Sequence, residues 1–254
     1  MLYKRLARFT LLVLTIPLSA CAVSIPEIQA TQDTLFQVST LRRLEMGNFD
    51  GEMTMAELKR NGDFGLGTFN TLDGEMVVVD GQIYQMRDDG MAYPAEDAMQ
   101  TPYAAVTFFG PDQTLAVNEA LDCLQLQVTI DSELSTLDAP YAIKVSGEFD
   151  SLKVRVPHKQ SEPYPTLADA LVDQAIFESQ SITGTMVGFR LPDYMAGANS
   201  AGYHFHFISG DRQAGGHVLE CQTGALTVEI DTIDEVHLDL SLSARQQATP
   251  SSSE

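Results

Sequence analysis

Basic residues are scarce in this chain. Of its 254 residues, 15 are Lys or Arg and 35 are Asp or Glu, which gives a formal net charge of −20 at pH 7. A surface this acidic repels the phosphate backbone of nucleic acids. It also provides no cluster of basic residues for anionic lipids. We therefore expect no nucleic-acid partner and no polybasic contact with a membrane.

Cysteines and long apolar runs are also few. The three cysteines are too few for the disulfide framework of a small secreted domain. An exported chain could pair Cys123 with Cys221, although their wide separation in the sequence disfavours a disulfide. The apolar run Phe9–Leu18 has ten residues, which is too short for a transmembrane helix. With 44% apolar residues, the chain can still form one large core or two small ones.

The first 20 residues have the pattern of a lipoprotein signal peptide. Basic residues precede the apolar run, and small residues stand directly before Cys21. This arrangement resembles the lipobox of bacterial lipoproteins, in which the cysteine thiol receives lipid and becomes the new N-terminus. We predict a signal peptide over 1–20, a lipid anchor at Cys21, and a periplasmic or outer-membrane-anchored protein. The alternative is an ordinary signal peptide and a secreted protein.

The rest of the chain predicts a β-rich α+β fold with few helices. Tight hairpin turns require positive φ angles, which Asp73-Gly74, Asp80-Gly81 and Asp89-Gly90 supply. Strands are predicted at Gly67–Leu72, Glu75–Val79, Gln82–Arg87, Ala105–Phe109, Gln125–Ile130, Tyr141–Gly147, Ser151–Val156, Gly184–Phe189, Tyr203–Ile208, Gly216–Glu220, Ala225–Ile230 and Val236–Leu242.

Three helices are predicted among these strands. Leu35, Val38 and Leu41 recur at helical spacing and indicate a first helix that ends near Gly47. A capping-box pattern at Thr54 and Glu57 opens a short second helix, and a third is expected at Thr166–Glu178. We divide the chain into a tether (21–33), an N-terminal mixed-sheet domain (34–145), a C-terminal β domain (146–242) and a flexible tail (243–254).

The histidines give the strongest chemical signal. His204 and His206 alternate on a predicted strand, so both side chains point to one face with their Cα atoms roughly 7 Å apart. A Gly-rich turn follows, and a hairpin there would bring His217 beside the first two. Three neutral imidazoles suit Zn²⁺ and leave a fourth position for water or substrate. Mn²⁺, Fe²⁺ or Co²⁺ would also suit the site, whereas His158 and His237 have the pattern of ordinary surface residues.

Other candidate side chains are less distinctive. Glu75 follows a predicted turn and shares a sheet face with Thr68, but a solvated turn residue would have the same pattern. Arg155 alternates with valines, which is typical of a surface strand. In a site, its guanidinium group would bind a substrate carboxylate with paired donors.

Several motifs, taken in order and with their spacing, resemble the α-acetolactate decarboxylases. They cover about residues 34–242 and comprise Leu35–Leu41, Gly62–Asn70, Leu72–Glu75, Asp80–Tyr84, Gly184–Phe189, Gly202–Ser209 and Gly215–Leu219. The resemblance implies a two-domain, sheet-rich fold, a homodimer, and a zinc ion bound by His204, His206 and His217. It also implies that Glu75 and Arg155 face the zinc and that Thr68 lines the same pocket.

The resemblance further implies zinc-dependent decarboxylation of (S)-2-acetolactate to (R)-acetoin and CO2. Family members are generally cytoplasmic or simply secreted, so the lipobox-like cysteine is a departure from the family pattern. Two other functions remain open. One is a periplasmic lipoprotein that binds zinc without turnover. The other is a zinc hydrolase in which Glu75 acts as the base and zinc-bound hydroxide as the nucleophile.

Overall fold

The structure is a computed structural model that describes residues 32–241. The predicted signal peptide, Cys21, nearly all of the tether and the tail lie outside these residues. Within them the chain forms fourteen strands and four α-helices, so the predicted strand-rich α+β fold is confirmed. No helix in 32–241 is both long and apolar enough to cross a bilayer.

One sheet has seven strands, mostly from the N-terminal half. In spatial order they are β14 (Glu235–Asp239), β1 (Thr34–Val38), β8 (Ala104–Thr107), β3 (Phe64–Thr68), β4 (Glu75–Val79), β5 (Gln82–Met86) and β6 (Ala92–Pro94). All neighbouring pairs are antiparallel except β1 and β14, which run parallel. The meander predicted from the Asp-Gly turns is therefore present as β3, β4 and β5.

The second sheet has five strands, of which three are unusually long. In spatial order they are β10 (Tyr141–Val156), β11 (Ala175–Leu191), β12 (Gly202–Ser209), β13 (Gly215–Thr232) and β9 (Gln113–Val117). β10 also pairs with β13, which closes four of the strands into a ring. The short strands β2 (Met53–Thr54) and β7 (Gln100–Thr101) form a separate pair.

The helices are short and begin at polar caps. They are α1 (Leu41–Glu45), α2 (Met55–Leu58), α3 (Cys123–Glu133) and α4 (Leu167–Ala170). The predicted capping box is confirmed at α2, where the Thr54 hydroxyl accepts from the Glu57 backbone N–H and the Glu57 carboxylate accepts from the Thr54 N–H.

The first predicted helix is wrong over its first part. Leu35 and Val38 lie in β1, and the helix begins only after the Thr40 cap. All five residues of β1 are buried between β8 and β14, so apolar residues occur on both faces of the strand. A strand buried on both faces loses its two-residue alternation, and its apolar positions then match helical spacing by chance.

Two further assignments differ from the prediction. Gln125–Ile130 is part of α3, where Leu126 and Ile130 are buried four residues apart on one side of the helix. The helix predicted at Thr166–Glu178 contains only α4, because Ala175 already begins β11. The predicted pairs of short strands at 141–156 and 216–230 are each one continuous strand, and the pairing of β10 with β13 shifts register at bulges.

The sheets are not divided at the boundary predicted between residues 145 and 146, which falls inside β10. The chain also returns to the first sheet at its end, where β14 pairs with β1. A shared apolar core lies between the sheets and includes Val77 of β4, Val187 of β11 and Ile208 of β12, all fully buried. This core holds β4 against β12 and thereby brings polar residues of both sheets together.

The pairing of the two cysteines, which their sequence separation disfavours, is present in the structure. Cys123 and Cys221 form a disulfide, with their Cα atoms 5.1 Å apart. An isolated bridge between the neighbouring residues Asp122 and Gln222 places the start of α3 beside β13. The fold therefore supplies a proximity that sequence separation conceals.

The disulfide should contribute substantially to stability, because it closes a long loop with a sequence separation of 98. We expect the double variant Cys123→Ser/Cys221→Ser to lose about 2–4 kcal/mol of unfolding free energy in urea titrations. A reductant should lower the stability of the wild type to a similar extent and leave the double variant unchanged. Equal stability of oxidised and reduced wild type would contradict the prediction.

Candidate metal centre and active site

Three histidines meet where β12 and β13 pair. His204 and His206 alternate on β12, and His206 lies directly opposite His217 of β13. Each ring offers one nitrogen, and these three atoms lie within 4.8 Å of one another. Of the remaining histidines, His158 contacts Asp88 and His237 stacks on the Phe36 ring, so neither joins this group.

The spacing of the three rings suits a small divalent ion. The His204 Nε2 and His217 Nδ1 atoms are 3.2 Å apart. Two nitrogen ligands of a tetrahedral zinc ion are separated by about 3.3 Å, given zinc–nitrogen distances of about 2.0–2.1 Å. The three rings therefore present nitrogen donors at the spacing that a metal ion requires.

The orientation of His206 is fixed by the other sheet. Its Nδ1–H donates to the backbone carbonyl of Met76 in β4 over 2.7 Å. A carbonyl oxygen can only accept, so the hydrogen resides on Nδ1 and the Nε2 lone pair stays free. Metal-binding histidines commonly use their second nitrogen in this way.

Burial keeps all three imidazoles neutral. Desolvation lowers the pKa of His204 and of His217 well below the usual value, and the nearby Arg155 charge acts in the same direction. Desolvation lowers the pKa of His206 to about 3, against the opposing effect of its bond to Met76. Neutral imidazole is the form that binds metal ions. The rings are therefore ready to bind a cation at neutral pH without first losing a proton.

Glu75 and Arg155 lie next to the histidines. Glu75 begins β4 directly after the Asp73-Gly74 turn, and its Oε1 atom accepts a hydrogen bond of 3.0 Å from Arg155 Nη1. Its Oε2 atom is 3.5 Å from His206 Nε2, but this contact is not an ion pair because His206 is neutral. Burial raises the pKa of Glu75 to about 7, although the Arg155 charge lowers it in part.

Register places Arg155 and Thr68 beside these residues. Arg155 pairs with His217 across β10 and β13, and Thr68 pairs with Glu75 across β3 and β4. The Thr68 hydroxyl donates to the Gly74 carbonyl over 2.7 Å and is buried. Thr68 thus holds the turn that precedes Glu75.

One pocket contains all six site residues that the sequence predicted. An apolar wall of the pocket comes from α1, α4 and the loops after β3 and β10. Its members are Leu41, Leu44, Leu72, Pro157 and Leu167, together with Gly67 and Tyr103. Sequence reasoning missed this wall and Tyr103. No sequence signal distinguishes these leucines, because they are ordinary apolar residues that only the fold brings to the site.

The family model for alpha-acetolactate decarboxylase matches residues 35–249. The chain belongs to the alpha-acetolactate decarboxylase family. It is 42% identical over 212 residues to the alpha-acetolactate decarboxylase of Methanosarcina mazei, a match that covers 82% of this chain and 74% of the relative. It is 41% identical to that of Methylococcus capsulatus over 206 residues, covering 81% and 79%.

Solved structures of the family have the same fold. The crystal structure of alpha-acetolactate decarboxylase from Bacillus subtilis strain 168 superposes with a TM-score of 0.82 at 36% identity, covering 83% of this chain and 90% of that one. A Staphylococcus aureus protein of unknown function, described as similar to alpha-acetolactate decarboxylase, superposes with a TM-score of 0.79 at 30% identity, covering 81% and 88%. The family resemblance inferred from the motifs and the assignment to the carboxy-lyases are therefore confirmed.

Proposed function

We propose that this chain decarboxylates (S)-2-acetolactate to (R)-acetoin and CO2 with a zinc ion held by His204, His206 and His217. The observation that carries the proposal is the meeting of three neutral imidazoles with a buried carboxyl–guanidinium pair in one pocket. Family membership supports the choice of substrate. The site is small, and four leucines line part of it, which suits a compact substrate with two methyl groups.

The reaction needs a site that stabilises negative charge and supplies a proton. The bond between C2 and the carboxylate breaks, and its electron pair forms an enediolate with the former ketone. Protonation at C2 then gives acetoin, so each turnover consumes one proton. Zinc bound by the three histidines would supply a Lewis acid for the oxygen on which the charge develops.

Arg155 is placed to orient the carboxylate of the substrate. One of its N–H groups already binds Glu75, and the planar fork has further donors for a second carboxylate. If Arg155 bound the substrate carboxylate equally well in the ground state and the transition state, this binding would not accelerate the reaction. The benefit comes from turning the carboxylate so that the breaking bond overlaps with the carbonyl π system.

Glu75 is the group that holds the transferable proton. Its carboxyl group contacts Arg155 and lies 3.5 Å from His206 Nε2, inside the pocket that would hold the reacting carbon. Arg155 is an unsuitable proton donor because a guanidinium group does not deprotonate in proteins. Glu75 therefore delivers the proton to one face of the enediolate, which gives a single enantiomer of acetoin.

We further propose that the chain is an exported lipoprotein anchored through Cys21, and that it is a homodimer. The lipobox-like sequence before Cys21 supports the anchor, and the Cys123–Cys221 disulfide suits an oxidising compartment. Labelled palmitate should enter the wild type and not a Cys21→Ala variant, and light scattering should give twice the monomer mass. Absence of label in the wild type would contradict the proposed lipid anchor. A molecular mass equal to that of one chain would contradict the proposed homodimer.

Metal removal is the main test of the function. The purified protein should form acetoin from racemic acetolactate, and a chelator should reduce the rate by about 100-fold or more, since a Lewis acid contributes several kcal/mol. Adding back zinc should restore the rate, and His204→Ala should lose both bound metal and activity. An ester substrate tested in parallel addresses the hydrolase alternative. Full activity in metal-free protein would rule out the zinc mechanism, and bound zinc without turnover would favour the binding lipoprotein.

Substitution at Arg155 tests its orienting role. Arg155→Lys keeps the charge but loses the planar fork, so kcat/KM should fall roughly 10- to 100-fold, as expected for the loss of a charge-assisted hydrogen bond of about 1.5–3 kcal/mol. Lys153→Arg is a matched control, because Lys153 lies on the same strand but pairs with Glu220 outside the site. A wild-type kcat/KM in Arg155→Lys would contradict the proposed orienting role of Arg155.

A further inference from the structure

Tyr103 stands out among the pocket residues because its hydroxyl group has no hydrogen-bond partner among residues 32–241. The side chain is only 2% exposed, so water reaches it poorly. A buried hydroxyl without a partner is costly, and most buried polar atoms in proteins have one. This residue has no role in the mechanism described so far.

The surroundings of Tyr103 offer an apolar cluster rather than an acceptor. Its ring belongs to the buried cluster formed with Leu44, Phe49, Leu72 and Ala170. Two of these leucines also line the pocket with the three histidines. Tyr103 itself lines the same pocket.

The backbone of Tyr103 is firmly held. Its carbonyl accepts from the Thr68 N–H over 3.0 Å and from the Thr101 hydroxyl over 2.8 Å, and its own N–H donates to that hydroxyl over 3.1 Å. A side chain at Gly67 would come within 2.5 Å of the same carbonyl, so the close approach of the two strands requires glycine there. The position of Tyr103 relative to Glu75 is therefore fixed through Thr68, which pairs with Glu75.

The hydroxyl group can act only as a neutral donor or acceptor at physiological pH. Burial raises the pKa of Tyr103 well above its usual value, so the phenol keeps its proton. Acetolactate carries three oxygen-bearing groups, and the metal and Arg155 cannot satisfy every lone pair of these oxygens. The Tyr103 hydroxyl, in the apolar wall of the pocket, can donate one more hydrogen bond to these oxygens.

We propose that Tyr103 is a further substrate-binding residue, whose hydroxyl donates a hydrogen bond to an oxygen of the bound acetolactate. The proposal rests on the proposed function, since it requires this substrate in this pocket. It explains why a polar atom is retained in an otherwise apolar wall: the hydroxyl has no partner among residues 32–241, and the bound substrate supplies one. A purely structural tyrosine would gain nothing from the hydroxyl.

Tyr103→Phe separates the two roles because it removes only the oxygen. We expect kcat/KM for acetolactate to fall roughly 10-fold, as for the loss of one hydrogen bond, while bound metal stays at the wild-type level. The melting temperature should stay the same or rise, since no hydrogen bond within the folded chain is lost. Loss of activity together with unchanged or increased stability supports the proposal.

Tyr164→Phe is the matched control. Tyr164 packs against the same apolar cluster, but its hydroxyl donates to Asp50 over 3.1 Å and it does not line the pocket. This variant should lower the melting temperature and leave kcat/KM near the wild-type value. Wild-type kinetics in Tyr103→Phe, or a loss of activity matched by a loss of stability or metal, would overturn the role of Tyr103. An inactive wild type would instead overturn the proposed function itself.

Discussion

The hydrogen bond between His206 of β12 and the Met76 carbonyl of β4 joins the two sheets at the site. It depends on the shared apolar core, which presses β4 against β12. Through it, the second sheet contributes the imidazoles and the first contributes Glu75, one residue before Met76. Neither sheet alone contains both the metal-binding nitrogens and the carboxyl group. Any change that separates the sheets would therefore dismantle the site before it altered either sheet.

Burial has one physical effect with two chemical consequences here. Removing charged groups from water favours their neutral forms, which lowers the pKa of the histidines and raises that of Glu75. Neutral imidazole is the form that can bind a metal ion. Arg155, which keeps its charge, limits the rise of the pKa at Glu75. One environment therefore acts in opposite directions on the pKa values of the two kinds of group.

Sequence reasoning was strongest where local geometry decides the outcome. Alternation on a strand put His204 and His206 on one face, and the Gly-rich turn brought His217 beside them. It was weakest where long-range pairing decides. The buried strand β1 lacks the alternation of polar and apolar residues that marks a strand. The residues of α3 have a local pattern that also matches a strand, although Asp122 caps a helix there. Glu75 and Arg155 were identified through family resemblance. An acidic chain gives no means to choose one carboxylate, and Arg155 has the pattern of a surface-strand residue.

The sequence by itself determined the family, the strand-rich character and the three metal-binding candidates, since these depend on residue type and short-range spacing. Only the tertiary structure decided which residues surround those histidines. Register across β10 and β13 places Arg155 at His217, and packing against Leu44, Phe49, Leu72 and Ala170 buries Tyr103, whose hydroxyl has no partner among residues 32–241. The disulfide has the same origin, because two cysteines distant in sequence meet only when α3 lies against β13. These contacts join segments far apart along the chain, and no local spacing rule encodes them.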